Sequence, residues 1–110
     1  MSARDSIAVG VDDRGQIWSG HFGVAPYYRI YDRTGQSVER RLNPYGPNGD
    51  QHAHHGNPAL VAELLPECSV FVGRQMGNKE CLAKELGITP VVTGESDPDL
   101  AVRALLTGEM

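Results

Sequence analysis

The fold is decided by the stretch Ser6-Ile7-Ala8-Val9-Gly10-Val11, a run of small and β-branched residues near the start of the chain. A short apolar run of this kind predicts a strand, and the lack of a polar face predicts that the strand is covered on both sides. A turn is expected directly after it, because Asp12, Asp13 and Gly15 are typical turn residues. We therefore expect residues 6–11 to form a central strand.

Two more strands are predicted in the first half of the chain. Residues 27–32 are rich in aromatic and β-branched side chains, and residues 37–42 carry apolar side chains at Val38 and Leu42. Between them, residues 32–36 have the composition of a tight turn. Together with the first strand, these segments predict an antiparallel meander.

The second half of the chain changes to helical spacing. A helix is predicted to begin at Pro58, after the capping residue Asn57, and to end before Pro66. Its apolar stripe consists of Leu60, Val61, Leu64 and Leu65.

Four further elements are predicted after this helix. They are a strand at residues 69–73, a short helix at residues 78–86, a strand at residues 88–93, and a last helix that follows Asp97 and Pro98. The last helix is expected to end at Gly108. Its apolar stripe is made of Leu100, Ala101, Ala104 and Leu105.

This order of elements predicts an α/β fold. An antiparallel meander followed by αβαβα gives a mixed sheet of about five strands with helices packed on its faces. The chain has 110 residues and a mass of 11.9 kDa, and it contains no internal repeat or linker. Residues 1–110 are therefore expected to form one domain.

Composition and charge narrow the classes of function. With 40% hydrophobic and 22% charged residues the chain has the composition of a globular domain, and no apolar run is long enough for a membrane span. The net charge of −4 disfavours general nucleic-acid binding. Without a recognisable secretory signal, and with only two cysteines, we expect a cytoplasmic protein with reduced thiols.

Residues 43–56 follow neither period and make a long connection for a compact domain. They hold His52, His54 and His55, three of the four histidines. In an extended backbone His52 and His54 point to the same side, so two imidazoles could reach one metal ion. The alternative is a solvated loop whose histidines only titrate near neutral pH. We expect this segment to be poorly ordered without a ligand, because it has few apolar residues.

A second candidate site is the turn at residues 73–78, which joins a predicted strand to a predicted helix. Ligands of open α/β sheets bind at the carboxyl ends of strands, and the helix N-terminus near Gly77 and Asn78 would favour an anion. Arg74 adds a full positive charge. The alternative is that Gly73 and Gly77 only ease a tight turn, since the spacing matches no phosphate-binding motif.

Other reactive side chains carry weaker predictions. Cys81 falls in the first turn of the predicted helix, where it is either a sulfur ligand or a tolerated small residue. Cys68 leads into a buried strand and is expected to pack in the core. Asp12, Asp13 and Asp32 could serve a metal-dependent nuclease, but turn formation explains them more simply.

One motif resembles the signature of the dinitrogenase iron–molybdenum cofactor biosynthesis family, which includes NifX-like proteins and the C-terminal domain of NifB. It reads His21-Phe22-Gly23-Val24-Ala25-Pro26-Tyr27-Tyr28-Arg29-Ile30-Tyr31-Asp32. The order of the remaining segments also follows the family over nearly the whole chain, from Ile7-Ala8-Val9-Gly10 through Val70-Phe71-Val72-Gly73 to Leu86-Gly87-Ile88-Thr89-Pro90-Val91.

The resemblance implies a ribonuclease-H-like three-layer domain without nuclease activity. It implies that the protein binds, carries or protects a metal–sulfur cluster, such as an iron–molybdenum cofactor precursor or a related molybdenum, iron or copper sulfide cluster. The cofactor-binding residues that it implies are His21, Phe22, Gly23, Gly73, Gly77 and Asn78, with His52, His54 and His55 as metal ligands. Arg74 joins the predicted cofactor-binding residues because of its positive charge, since smaller residues are usual at this position in the family.

The sequence therefore predicts a non-enzymatic cluster carrier. A non-catalytic interaction or regulatory module is the alternative, and a metal-dependent nuclease comes third. The expected partners are the cluster and the proteins that donate or accept it, without nucleic acid or membrane, and the chain is expected to be a monomer or a homodimer.

Overall fold

A computed structural model describes residues 6–44, 58–77 and 79–108 of the chain. The described residues form five strands in one mixed sheet with the order β3-β2-β1-β4-β5. The strands are β1 Ser6–Val11, β2 Tyr27–Tyr31, β3 Ser37–Leu42, β4 Cys68–Gly73 and β5 Thr89–Val92.

The central position predicted for β1 is confirmed. β1 pairs antiparallel with β2 on one side and parallel with β4 on the other, and β2 pairs antiparallel with β3. The meander and the parallel second half of the sheet are therefore both present. Every residue from Ile7 to Val11 is buried, as expected for an apolar strand that is covered on both faces.

The helices of the described residues are α1 Pro58–Leu64, α2 Pro98–Thr107, a 3-10 helix at Phe22–Val24 and a π-helix at Cys81–Glu85. The ends of α2 are as predicted: the side chain of Asp97 accepts a hydrogen bond from the Asp99 amide, and Gly108 adopts φ 79°. None of these helices is long and apolar enough to cross a membrane.

Two predictions about the helices were wrong in detail. Leu100 was assigned to the buried stripe of α2, but 45% of it is exposed and Val102 is buried in its place. The short helix predicted at residues 78–86 is present, but it contains the π-helix instead of α-helical turns throughout. After it, the Ile88 amide donates to the Leu82 carbonyl at 2.8 Å, and both side chains are buried in the core.

Two apolar clusters lie on opposite faces of the sheet and make a three-layer α/β structure. On one face, α1 and the π-helix contribute Val61, Ala62 and Leu82 to a cluster with strand residues. On the other face, α2 contributes Ala101 and Val102. Alternate residues of β1 serve the two clusters, which is why its sequence has no polar face.

The hairpin of β2 and β3 is less covered than the rest of the sheet. β3 is an edge strand, and its apolar side chains Val38 and Leu42 are 60% and 48% exposed. β2 ends at Tyr31, one residue before the prediction, because Asp32 caps the following turn with its carboxylate.

Candidate functional site

The candidate site lies at one end of the sheet, where β1 and β4 both finish. Because these strands are parallel neighbours, the segment after Val11 and the turn after Gly73 leave the sheet at the same end. β3 ends there as well, because Tyr27 at the start of β2 pairs with both Val11 and Leu42. This edge therefore gathers segments that are far apart in the sequence.

The His21 segment and the turn after β4 are bonded directly to each other. His21 and Gln75 form a parallel bridge, and the Phe22 amide donates to the Gln75 carbonyl at 2.9 Å. The Gln75 side chain donates in turn to the Ser19 carbonyl at 3.0 Å. These bonds bring two of the predicted site segments together, although they are about fifty residues apart in the chain.

The side chain of His21 is exposed and stands beside Gly77. A β-carbon at Gly77 would lie 3.8 Å from the His21 Nδ1 atom, within van der Waals contact. Glycine at this position therefore places no side-chain atom against this ring nitrogen.

Phe22 and Gly73 are buried and pack closely against each other next to the candidate site. Phe22 is buried, and its ring stacks on Phe71 at 4.6 Å and tilts against Tyr28 at 4.8 Å between ring centroids. A β-carbon at Gly73 would come within 3.3 Å of the Phe22 β-carbon, so the glycine permits this close approach. Both were predicted as cofactor-binding residues. In the structure the Phe22 ring packs in the core, and the absence of a side chain at Gly73 leaves room for it.

A polar network centred on the buried side chains of Asn43 and Tyr28 fixes the segment that follows His21. The side-chain amide of Asn43 donates to the carbonyls of Gly23 and Ala25 and to the Tyr28 hydroxyl, at 3.1, 2.8 and 3.1 Å. The Tyr28 hydroxyl donates to the Phe22 carbonyl at 2.9 Å. Burial raises the pKa of Tyr28 well above its usual value, so the hydroxyl remains a donor.

Asn43 is the site residue that sequence reasoning missed. It was placed at the start of a poorly ordered loop, but it is buried, and its backbone amide also donates to the Pro26 carbonyl at 3.0 Å. An asparagine after a strand is typical of a turn, and its three side-chain acceptors lie fifteen or more residues earlier. No local signal in the sequence indicates this role, because the acceptors are close to Asn43 only in the folded structure.

Arg74 and Met76 differ in accessibility within the same turn. Arg74 is exposed, whereas Met76 is buried among the side chains of the α1-side cluster. A helix N-terminus was predicted to favour an anion at this turn, and the helical segment that follows is short and includes the π-helix Cys81–Glu85. That contribution stays a prediction, whereas the charge of Arg74 lies within the described residues. Arg74 is therefore the described positive charge of this turn that remains available to an anion.

Four of the predicted site residues, His52, His54, His55 and Asn78, lie outside the described residues. So does the expectation that residues 45–56 are poorly ordered. Asp12 and Asp32, two of the carboxylates considered for a nuclease, follow strands that run in opposite directions and therefore lie at opposite ends of the sheet. Each accepts backbone hydrogen bonds within its own turn.

The sequence model of one protein family matches residues 5–108, and its description is "Dinitrogenase iron-molybdenum cofactor". This chain belongs to that family. The resemblance carried by the His21 motif is therefore confirmed, and membership supports a role in handling the iron–molybdenum cofactor or a related metal–sulfur cluster. No curated protein matches the chain.

Solved structures share the fold of this family member. The apo orange protein from Desulfovibrio gigas superposes with a TM-score of 0.74 at 22% identity, covering 99% of this chain and 92% of that one. A NifB candidate from Thermotoga gives 0.68 at 22% identity, covering 94% and 89%. A dinitrogenase candidate from Methanocaldococcus jannaschii gives 0.60 at 12% identity, covering 96% and 91%.

Proposed function

We propose that this protein binds and carries a metal–sulfur cluster at the sheet end formed by the His21 segment and the turn at residues 73–77. It does so without catalysing a reaction. The observation that carries the proposal is the exposed imidazole of His21 beside Gly77, on a backbone that hydrogen bonds tie to the turn.

The donor set suits an anionic sulfide cluster. A neutral imidazole binds iron or copper or donates a hydrogen bond to sulfide, and the guanidinium of Arg74 adds charge-assisted hydrogen bonds. His52, His54 and His55 would complete the set, since their segment begins two residues after Asn43, which is anchored to the His21 segment. Asn78 would contribute its backbone amide beside Gly77.

The cluster is cargo rather than a resident catalyst in this proposal. A carrier needs a site at the surface that partner proteins can reach, and both His21 and Arg74 are exposed. Molybdenum, iron and copper sulfides all remain candidates for the metal content. The partners are proteins that donate or accept the cluster. We propose that this protein meets them in the cytoplasm and that it is a monomer or a homodimer.

Anaerobic reconstitution tests the proposal. The apo protein is incubated with copper(I) and tetrathiomolybdate, or with ferrous iron, molybdate and sulfide, and the metal content per chain is measured after gel filtration. We expect His21→Ala and the combined His52→Ala, His54→Ala and His55→Ala variant to lose most of the retained metal. Arg74→Ala should weaken retention by about 1–3 kcal/mol, as for one hydrogen bond to a charged group.

Lys84→Ala is the matched control, because Lys84 is exposed away from the turn and pairs only with the exposed Glu80. It should retain metal like the unchanged protein. Thermal unfolding of each apo variant separates loss of the site from loss of the fold. Unchanged retention in both histidine variants would contradict the proposal, and a colourless protein that retains neither cluster would favour an interaction module instead.

A further inference from the structure

The α2-side face of the β2–β3 hairpin carries an unusual pair of side chains. Arg29 in β2 stands directly opposite Arg40 in β3, and Tyr27 stands opposite Leu42 on the same face. Tyr27 packs on the cluster below α2, which identifies the face that these four side chains share. The pair places two positive charges on this face, and the guanidinium groups extend to different neighbours, Arg29 to Ser37 and Arg40 to the Tyr27 ring.

Neither arginine of this pair is neutralised within the described residues. Arg29 donates to the Ser37 hydroxyl at 2.8 Å, and the Arg40 guanidinium lies 4.2 Å above the centre of the Tyr27 ring. No described carboxylate forms an ion pair with either group. Their positive charges are therefore available at the surface.

Arg41, the next residue of the same strand, shows the contrast. It points to the opposite face of the sheet, where it pairs with Glu39 at 2.9 Å and with Glu67 at 2.7 Å. It also donates to the Leu64 carbonyl at the end of α1. Within the described residues, β3 therefore pairs Arg41 with carboxylates on the α1-side face and gives Arg40 no carboxylate partner on the α2-side face.

A groove extends this face toward α2. It has a volume of about 370 Å³ and is lined by Thr34, Gly35, Ser37, Asp99, Arg103, Leu106 and Thr107. Arg103 brings a third guanidinium, and Leu106 is 43% exposed. The Asp99 carboxylate in this groove already accepts a hydrogen bond from the Tyr31 hydroxyl. We call the surface made by Arg29, Arg40, Arg103, Leu42 and Leu106 the arginine face.

We propose that the arginine face is a docking surface for an extended acidic segment of a partner protein. Guanidinium groups bind carboxylates with two parallel hydrogen bonds. Here Arg29 and Arg40 lie on the hairpin, and Arg103 lines the groove that shares Ser37 with it. β3 is an edge strand, so its outer backbone groups can pair with an added strand. Leu42 at the end of β3 and Leu106 in the groove provide exposed apolar side chains for such a segment.

Charge complementarity favours an acidic protein segment over a nucleic acid. The chain as a whole has a net charge of −4, which repels a phosphate backbone that would extend beyond the arginine face. A short acidic segment, by contrast, is attracted by the local positive charges without approaching the rest of the surface. β3 finishes at the same end of the sheet as the candidate site, so a partner docked along β3 would lie beside that site.

Fluorescence anisotropy with a labelled peptide tests the docking surface on the apo protein, independently of any cluster. The probe is a decapeptide of alternating glutamate and valine, with a lysine and valine peptide as its charge-reversed counterpart. We expect the acidic peptide to bind at low salt and Arg40→Glu to weaken it about tenfold or more. Lys84→Glu makes the same change in net charge at an exposed site elsewhere and should weaken binding less than twofold.

Arg103→Glu is the second variant, on α2 rather than on the sheet, and should also weaken binding about tenfold. Thermal unfolding checks that each variant is folded. Equal loss in Arg40→Glu and Lys84→Glu would overturn the proposal, as would equal binding of the lysine peptide. Tighter binding of a single-stranded oligothymidylate, or Arg40-dependent dimerisation by light scattering without peptide binding, would also overturn it.

Discussion

The acidic turns that follow β1 and β2 and the network around Asn43 contrast in how their shape is fixed. In both turns an aspartate accepts hydrogen bonds from the amides two and four residues later, and a glycine follows with φ 83° at Gly15 or φ 89° at Gly35. The Thr34 hydroxyl and nearby amides also hold the pKa of Asp32 below its usual value. Every partner lies within four residues.

The Asn43 network uses the opposite arrangement. Its side-chain acceptors belong to Gly23, Ala25 and Tyr28, and the network forms only when β2 and β3 have paired and brought Asn43 back to the His21 segment. A turn built from local bonds can form early and be recognised in the sequence, whereas a network of distant groups depends on the whole fold. Substitutions in the two regions should therefore differ in cost.

The largest effect is expected from Asn43→Ala. The variant leaves two buried carbonyls without their side-chain donor and removes a hydrogen bond to Tyr28, so we expect a loss of about 2–3 kcal/mol in the free energy of unfolding. Urea denaturation measures this loss. A double-mutant cycle with Tyr28→Phe should show a coupling of about 1 kcal/mol, since the two side chains share one network. A loss as small as that of an exposed residue would show that the network is not needed for the fold.

A smaller effect is expected from Gly35→Ala in the turn after β2. Alanine at φ 89° is strained, and its β-carbon would lie 3.2 Å from the Leu106 Cδ1 atom, so we expect a loss of about 1–2 kcal/mol. Gly15→Ala has the same strain but meets only the Arg29 side chain at 3.8 Å, and should cost less. Gly94→Ala is the control, because a β-carbon there contacts nothing. Equal stability of all three variants by urea denaturation would contradict this ranking.

The smallest effect is expected from the pair between Arg41 and Glu67. Their hydrogen bonds lower the pKa of Glu67 from its usual 4.5, so the pair stabilises the folded state above that pH and the contribution is lost as the pH falls through the lowered pKa. Because the pair is partly exposed, we expect less than about 1 kcal/mol. Glu67→Gln should flatten the acid limb of the pH profile, meaning that the free energy of unfolding measured by urea denaturation falls less steeply as the pH is lowered. Glu63→Gln, at an exposed position of α1, should leave the limb unchanged, and a flattened limb there would contradict the assignment.

Much of the fold could be predicted because local signals agree with it. The bounds of β1 and β3 and the ends of α2 follow from alternation, turn residues and capping. The π-helix and the exposure of Leu100 could not be predicted, since both depend on which side chains the core accepts. For the site, the motif at His21 was recognisable, but the burial of Phe22 and Asn43 required the packed structure.

The sequence by itself determined the central strand, the turns at Asp12 and Asp32, the ends of α2 and membership in the cofactor family, because each depends on residues that are close together or on a contiguous motif. The tertiary structure decided that His21 stands beside Gly77, that Asn43 holds the His21 segment, and that Arg29 and Arg40 share one face of the hairpin, where no described carboxylate pairs with them. These relations join residues across strand pairings and helix packing, which no local propensity contains.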